Sequence, residues 1–194
     1  MAGAAAVWAG APPSDPPRYD EPRPAPAADG YVTLAEDVVV GLSREEYLAW
    51  MNAPGRELGD LVTTDDDSTR VVATVPLSGS WDPAEDRTGH RRSVEFADGH
   101  YLAEEVLADS PAEFRYMIWG FTNPQRRLAI RYAVASFVYE EVPGGTRITW
   151  TYSFQPTAGI LRPVLSSVVN GTIARMMRDS LDAWKAAAEA ESVG

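Results

Sequence analysis

The stretch that most constrains this chain is Thr146–Phe154 (TRITWTYSF), because a long helix-patterned tail follows it. Ile148, Trp150, Tyr152 and Phe154 alternate with Arg147, Thr149, Thr151 and Ser153, the period of two of a strand with one buried face. From Leu161 to Trp184 apolar residues recur at steps of three and four, among them Val164, Val168, Met177 and Leu181, and Pro163 suits the first turn. A sheet face of large aromatics and a helix with one apolar stripe must each leave water, and packing one on the other does both.

The preceding residues supply the rest of that sheet. Tyr31–Leu42 is β-branched and strand-like, and Ser43 with Glu46 reads as a capping box opening a short helix that Pro54–Gly55 ends. Strand patterns then recur over Val71–Leu77, Arg91–Phe96, Tyr101–Leu107, Glu113–Phe121 and Arg131–Val142, with a loop at Gly79–Gly89 that carries Trp81. Asn123–Pro124 breaks the fourth of these, and Pro143–Gly144–Gly145 is a tight turn into the last strand. The predicted order is strand, short helix, about six consecutive antiparallel strands and a long C-terminal helix. The fold class is α+β: a curved antiparallel sheet wrapped around the helix.

Composition sets the limits on function. Residues 1–30 hold seven of the fifteen prolines and nine alanines, which predicts a disordered arm before a single domain over 31–190. Trp8 and the prolines of the arm are a candidate for partner binding. The formal charge, 17 − 28 = −11, argues against a nucleic-acid partner and against electrostatic docking on an anionic membrane. With no cysteine and only His90 and His100, thiolate chemistry and His-rich metal sites are excluded, and no phosphate-binding glycine loop is present. The reading is therefore no cofactor, no metal, and a cytoplasmic protein by default, with a homodimer left open.

The charged pair with most chemical interest lies in the Arg91–Leu107 hairpin. A turn at Ala97–Asp98–Gly99 sets Val94 opposite Leu102 and Arg92 opposite Glu104 on the inner, apolar face, whereas a two-residue turn sets Arg92 opposite Glu105. The functional reading is a carboxyl in a hydrophobic pocket, raised by burial and lowered by Arg92. A structural ion pair at the rim is the other. Tyr116, Tyr132 and Tyr152 bring phenols able to donate to an enolate or carbonyl oxygen. Phe114 shares the face of Tyr116. His90 beside a loop and His100 at a turn are both predicted to be exposed, without a Ser or Cys partner, which disfavours a hydrolytic triad.

Several strings together resemble a known family. Gly89-His-Arg-Arg92 with Asp98–Gly99, Glu104–Glu105–Val106–Leu107, Phe114-Arg-Tyr116 and Gly145–Phe154 before the final helix are similar to the bacterial polyketide cyclase/dehydrase branch of the START-like (SRPBCC) helix-grip superfamily. The resemblance covers roughly 31–188. It implies a hydrophobic cavity between sheet and helix, and a hydrophobic small molecule as substrate or ligand. A cofactor-independent cyclase or dehydratase of specialised metabolism follows from it, with a non-catalytic carrier or sensor as the alternative. In that scheme Glu104, Arg92 and Tyr116 are the catalytic candidates. Trp150, Tyr152, Phe154, Phe114, Tyr132 and Met177 are the substrate-binding ones.

Overall fold

The strand-patterned segments pair into one seven-stranded antiparallel sheet in the computed structural model, which describes residues 10–192. In chain order the elements are β1 (Val32–Val40), α1 (Arg44–Met51), a single turn α2 (Leu58–Leu61), β2 (Val71–Ser78), β3 (Arg91–Phe96), β4 (Tyr101–Asp109) and β5 (Glu113–Trp119). Then come α3 (Pro124–Ala129), β6 (Ile130–Val142), β7 (Gly145–Pro156) and the C-terminal helix. That helix runs as α4 (Arg162–Val168), a π-helical turn (Val169–Ile173) and α5 (Ala174–Glu191). Strands β2 to β7 form a meander, and β1 adds to the free side of β7, so the spatial order is β1-β7-β6-β5-β4-β3-β2. This is the helix-grip architecture predicted from the alternation.

Local chemistry accounts for the element boundaries. Ser43 Oγ accepts from the Glu46 amide while the Glu46 carboxylate accepts from the Ser43 amide at 2.9 Å, which satisfies two otherwise open donors of α1. The break at Asn123–Pro124 becomes a short helix: Asn123 Oδ1 accepts from the amides of Gln125 and Arg126, and Pro124 occupies the first turn. Gly145 has φ +143°, and a Cβ there would sit 1.9 Å from the carbonyl oxygen of Val40. Only glycine lets β7 begin that close to the end of β1.

Ile148, Trp150, Tyr152 and Phe154 are all buried and belong to the main core, where Met176, Met177, Leu181 and Trp184 of α5 meet them. The Trp150 and Trp184 rings stack at 5.5 Å, and Phe137 packs on both. Sheet face and most of the helix stripe thus bury each other. Val164 and Val168, expected in that stripe, are instead exposed, and Leu165 and Val169 take the inward positions of the helix's first half.

The other face of the sheet is covered from an unexpected source. Gly10–Gly30 forms no helix or strand, yet it runs across the outer side of β3–β6. Tyr19 Oη donates to the Gly120 carbonyl at 3.1 Å, Arg23 Nε donates to Glu105 Oε1 at 2.6 Å, and the Ala27 amide donates to Tyr132 Oη at 2.6 Å. Beneath lies a second cluster, Ala103, Met117, Trp119 and Tyr132, with Tyr19 and Tyr31 packed against it. Trp8, the arm's candidate partner-binding residue, lies outside the described residues.

Candidate functional site

A cavity of about 890 Å³ opens between the concave face of the sheet, the α1–α2 connection and the loop before β3. Arg92, Phe114, Tyr116, Phe137, Tyr139 and Trp150 form its sheet wall. Trp184 closes it from α5, Trp81 and Arg87 from the loop, and Arg56 from the connection after α1. Its volume fits a multi-ring or long-chain organic molecule.

The β3–β4 hairpin positions the charged pair. Gly99 takes φ +78°, the Phe96 amide donates to the His100 carbonyl at 2.9 Å, and the ladder then pairs Val94 with Leu102 and Arg92 with Glu104. Arg92 Nη2 donates to Glu104 Oε1 at 2.6 Å. The same guanidinium lies over the Trp81 ring, its Cζ 4.0 Å from the centroid, and Trp81 Nε1 donates to the Arg91 carbonyl. Arg92 Nε has no hydrogen-bond partner.

Electrostatics follow from depth. The Glu104 side chain is only 4% exposed. Burial pushes its carboxyl above the usual range, and the Arg92 guanidinium, then Arg87, pulls it part of the way back. Burial also raises the Tyr116 phenol well above its ordinary value, with Tyr152 and the Glu104 charge adding to the effect. Tyr116 is therefore a neutral hydrogen-bond donor throughout the physiological range. The sheet wall is mostly aromatic, with the Arg92 cation and the Tyr116 and Tyr139 phenols on it and the Glu104 carboxyl directly behind, while Arg56, Arg87 and acidic side chains such as Asp82 and Asp109 line the mouth.

The sequence-derived candidates separate into three groups. Arg92, Tyr116, Phe114 and Trp150 line the cavity. Glu104 sits one layer back, touching the cavity through Arg92. Tyr152, Phe154 and Met177 are core residues beside it: Tyr152 meets Tyr116 edge-on at 6.4 Å, Phe154 stacks on Tyr152 at 4.6 Å, and Met177 is fully buried. Tyr132 is not brought to the cavity. The inward positions of β6 are Ala133, Ala135, Phe137 and Tyr139, so the alternation sends Tyr132 to the outer face beneath the arm.

The predicted exposure of His100 needs correction. It is 5% exposed, and its Nδ1 is 3.1 Å from Thr122 Oγ1, because the segment after β5 folds over the hairpin turn. His90 is half-buried, with Nδ1 against the Ser80 carbonyl. The cavity residues that sequence reasoning passed over as site residues are Trp81, Arg87, Arg56, Phe137, Tyr139 and Trp184. For the loop pair the available signal was an aromatic and an arginine in an otherwise acidic, proline-containing segment. Arg87 is clamped there by three hydrogen bonds to Asp109, two from its guanidinium and one from its amide, and lies over Phe114.

Among solved structures, the chain is similar in fold to Ara h 8.0201, with a TM-score of 0.61 and 16% identity over 82% of this chain and 98% of that one. It is also similar to the di-domain aromatase/cyclase (ARO/CYC) StfQ of the steffimycin biosynthetic pathway, with a TM-score of 0.59 and 11% identity over 84% of this chain and 53% of StfQ. A protein from Nitrosospira multiformis matches with a TM-score of 0.54 and 16% identity over 80% and 94% of the two chains. No curated protein matches the sequence. At these identities the structural likeness establishes the fold and nothing finer. A family model described as polyketide cyclase / dehydrase and lipid transport matches residues 51–189, from the end of α1 almost to the end of α5. The chain that builds this aromatic cavity therefore belongs to the polyketide cyclase / dehydrase and lipid transport family.

Proposed function

We propose that the cavity binds a hydrophobic, polyketide-like intermediate of specialised metabolism and cyclises or dehydrates it in the cytoplasm, by acid–base chemistry without a cofactor. The observation that carries this reading is the disposition of three side chains. Arg92 from β3 and Tyr116 from β5 line the cavity on either side of β4, and the buried Glu104 carboxyl lies 2.6 Å behind Arg92. StfQ, a fold neighbour described as an aromatase/cyclase, is consistent with it.

In this mechanism the aromatic wall holds a flexible chain in one reactive conformer. Tyr116 donates to the oxygen that becomes enolate or phenolate, and Arg92 places positive charge beside it. Glu104 takes up and returns the proton. A carboxyl whose pKa is lifted by burial suits such work near neutral pH. The Tyr116 phenol responds to the Glu104 charge as well as to Tyr152, which places the carboxyl within electrostatic reach of the donor on the cavity wall.

The second reading is a carrier or sensor, and one observation favours it: Glu104 is ion-paired with Arg92 and does not itself line the cavity. A defined poly-β-ketone thioester separates the two. Wild-type protein is expected to yield a cyclised isomer or a product lacking water, resolved by mass spectrometry. Glu104→Gln should slow that conversion by about 10²–10⁴-fold. Recovery of unchanged, bound compound from both proteins would replace the enzyme reading with the carrier.

A further inference from the structure

One end of the molecule does not share the acidity of the whole. Between Glu113 and Glu140, and again between Glu141 and Asp179, the chain contains no Asp or Glu. Those stretches build α3, the start of β6, the end of β7 and the first half of the C-terminal helix, and they meet in space: the amide and hydroxyl of Thr157 donate to the carbonyls of Ala129 and Leu128. Among the described residues, Arg127, Arg131, Arg162 and Arg175 from these stretches have no carboxylate partner. Arg126 is set apart, because it turns inward to Ser68 and faces Asp66 and Asp98.

The same end exposes aliphatic side chains. Ile160 is 86% exposed, Leu128 71%, Val164 62% and Val168 48%. Val164 and Val168, four residues apart, lie on one outer side of the helix, Ile160 protrudes from the tight turn just before it, and Leu128 stands beside that turn. A groove of about 630 Å³ alongside is lined by Arg127, Arg131, Phe121 and three residues of the arm, with no carboxylate in its wall.

We propose that this end docks on an anionic lipid bilayer, with Ile160, Val164 and Leu128 entering the headgroup–acyl boundary and Arg127, Arg131 and Arg162 meeting lipid phosphates. A helix with an exposed aliphatic stripe bordered by arginines is the pattern of an interfacial helix. Protein-binding hot spots instead favour Trp and Tyr in recessed, well-packed pockets, and these side chains are β-branched or Leu and protrude. The proposal departs from the expectation set by the whole-chain charge. Attraction falls off within about one Debye length, roughly 8–10 Å, so the local balance decides it: Arg127, Arg131 and Arg162 carry no carboxylate partner, while the nearby Asp66 and Asp98 are faced by Arg126.

Co-sedimentation of the full chain with vesicles tests it. Binding is expected to equimolar phosphatidylglycerol/phosphatidylcholine vesicles and not to phosphatidylcholine alone, and high salt should release it. Ile160→Asp and, independently, Val164→Asp should abolish binding, and Arg127→Gln should weaken it about fivefold. These positions are exposed, and an unchanged melting temperature verifies that each variant folds. Equal binding to both vesicle types, binding that survives both Asp variants, or no vesicle binding at all would overturn the proposal. So would saturable binding of these residues to an acidic protein while vesicles are ignored.

Discussion

Glu104 and Glu105 are adjacent on β4, each opposite an arginine of β3, and each is buried, yet the two faces of the sheet treat them differently. Glu104 points inward and has one partner, Arg92, whose guanidinium it shares with the Trp81 ring and the cavity. Glu105 points outward and has two: Arg91 Nε donates to one oxygen at 2.6 Å, and Arg23 Nε from the arm donates to the other at 2.6 Å. A carboxylate with both oxygens taken by cations is a fastener. One held by a single arginine beside an open cavity keeps unused hydrogen-bonding capacity, which is the condition for chemistry. Strand alternation alone divides the two roles.

The largest effect should come from removing the single partner. Arg92→Met leaves Glu104 as an unpaired buried charge and is expected to cost about 3 kcal/mol in urea unfolding at neutral pH. The loss should shrink as pH falls, because Glu104 can then take a proton. An undiminished loss at acid pH would mean that packing, not charge, set the cost.

A pH series sharpens the same point in the intact pair. Burial holds the folded pKa of Glu104 above its unfolded value, so the native state binds more protons between the two. Its contribution to stability is then present at low pH and is lost as pH rises through the folded value. Replacing Glu104 with Gln should remove that slope from a plot of unfolding free energy against pH. A slope that persists would assign it to another group.

Smaller effects belong to the outer face. Arg91→Ala or Arg23→Ala leaves Glu105 one cation, and each is expected to cost about 1 kcal/mol or less by thermal unfolding. A cost equal to that of Arg92→Met would erase the contrast between the faces. Tyr132→Phe removes the acceptor for the Ala27 amide and should cost about 1 kcal/mol. Faster amide exchange at Ala27 with exchange at β6 unchanged would place the effect in the arm.

How far the site could be read from the chain depended on the distance over which each feature is encoded. Arg92 opposite Glu104 was readable because thirteen consecutive residues, 92 to 104, contain both strands and the turn that sets their register. Trp150 and Phe114 were readable as inward residues from local alternation. Tyr132 was misplaced for want of parity: its strand begins at Ile130, beside a register shift, and the inward set starts at Ala133. His100 looked exposed because a turn residue ordinarily is, and its cover arrives from Thr122, twenty-two residues away. Trp81 and Arg87 carried no periodic signal, since loops have none.

By itself the sequence determined the element order, the inner face of β7, the buried stripe of α5 and hence an α+β sheet closed on a helix, because periodicity is local and burial follows from it. Tertiary structure alone decided which loop residues wall the cavity and that Glu104 stands behind Arg92. It also decided that a proline-rich arm covers the outer face through Tyr19, Arg23 and Ala27. It brought together at one end Arg127, Arg131 and Arg162, arginines without a carboxylate partner among the described residues. Each depends on segments far apart in the chain meeting in space, and such meetings are set by packing between elements, which no single segment encodes.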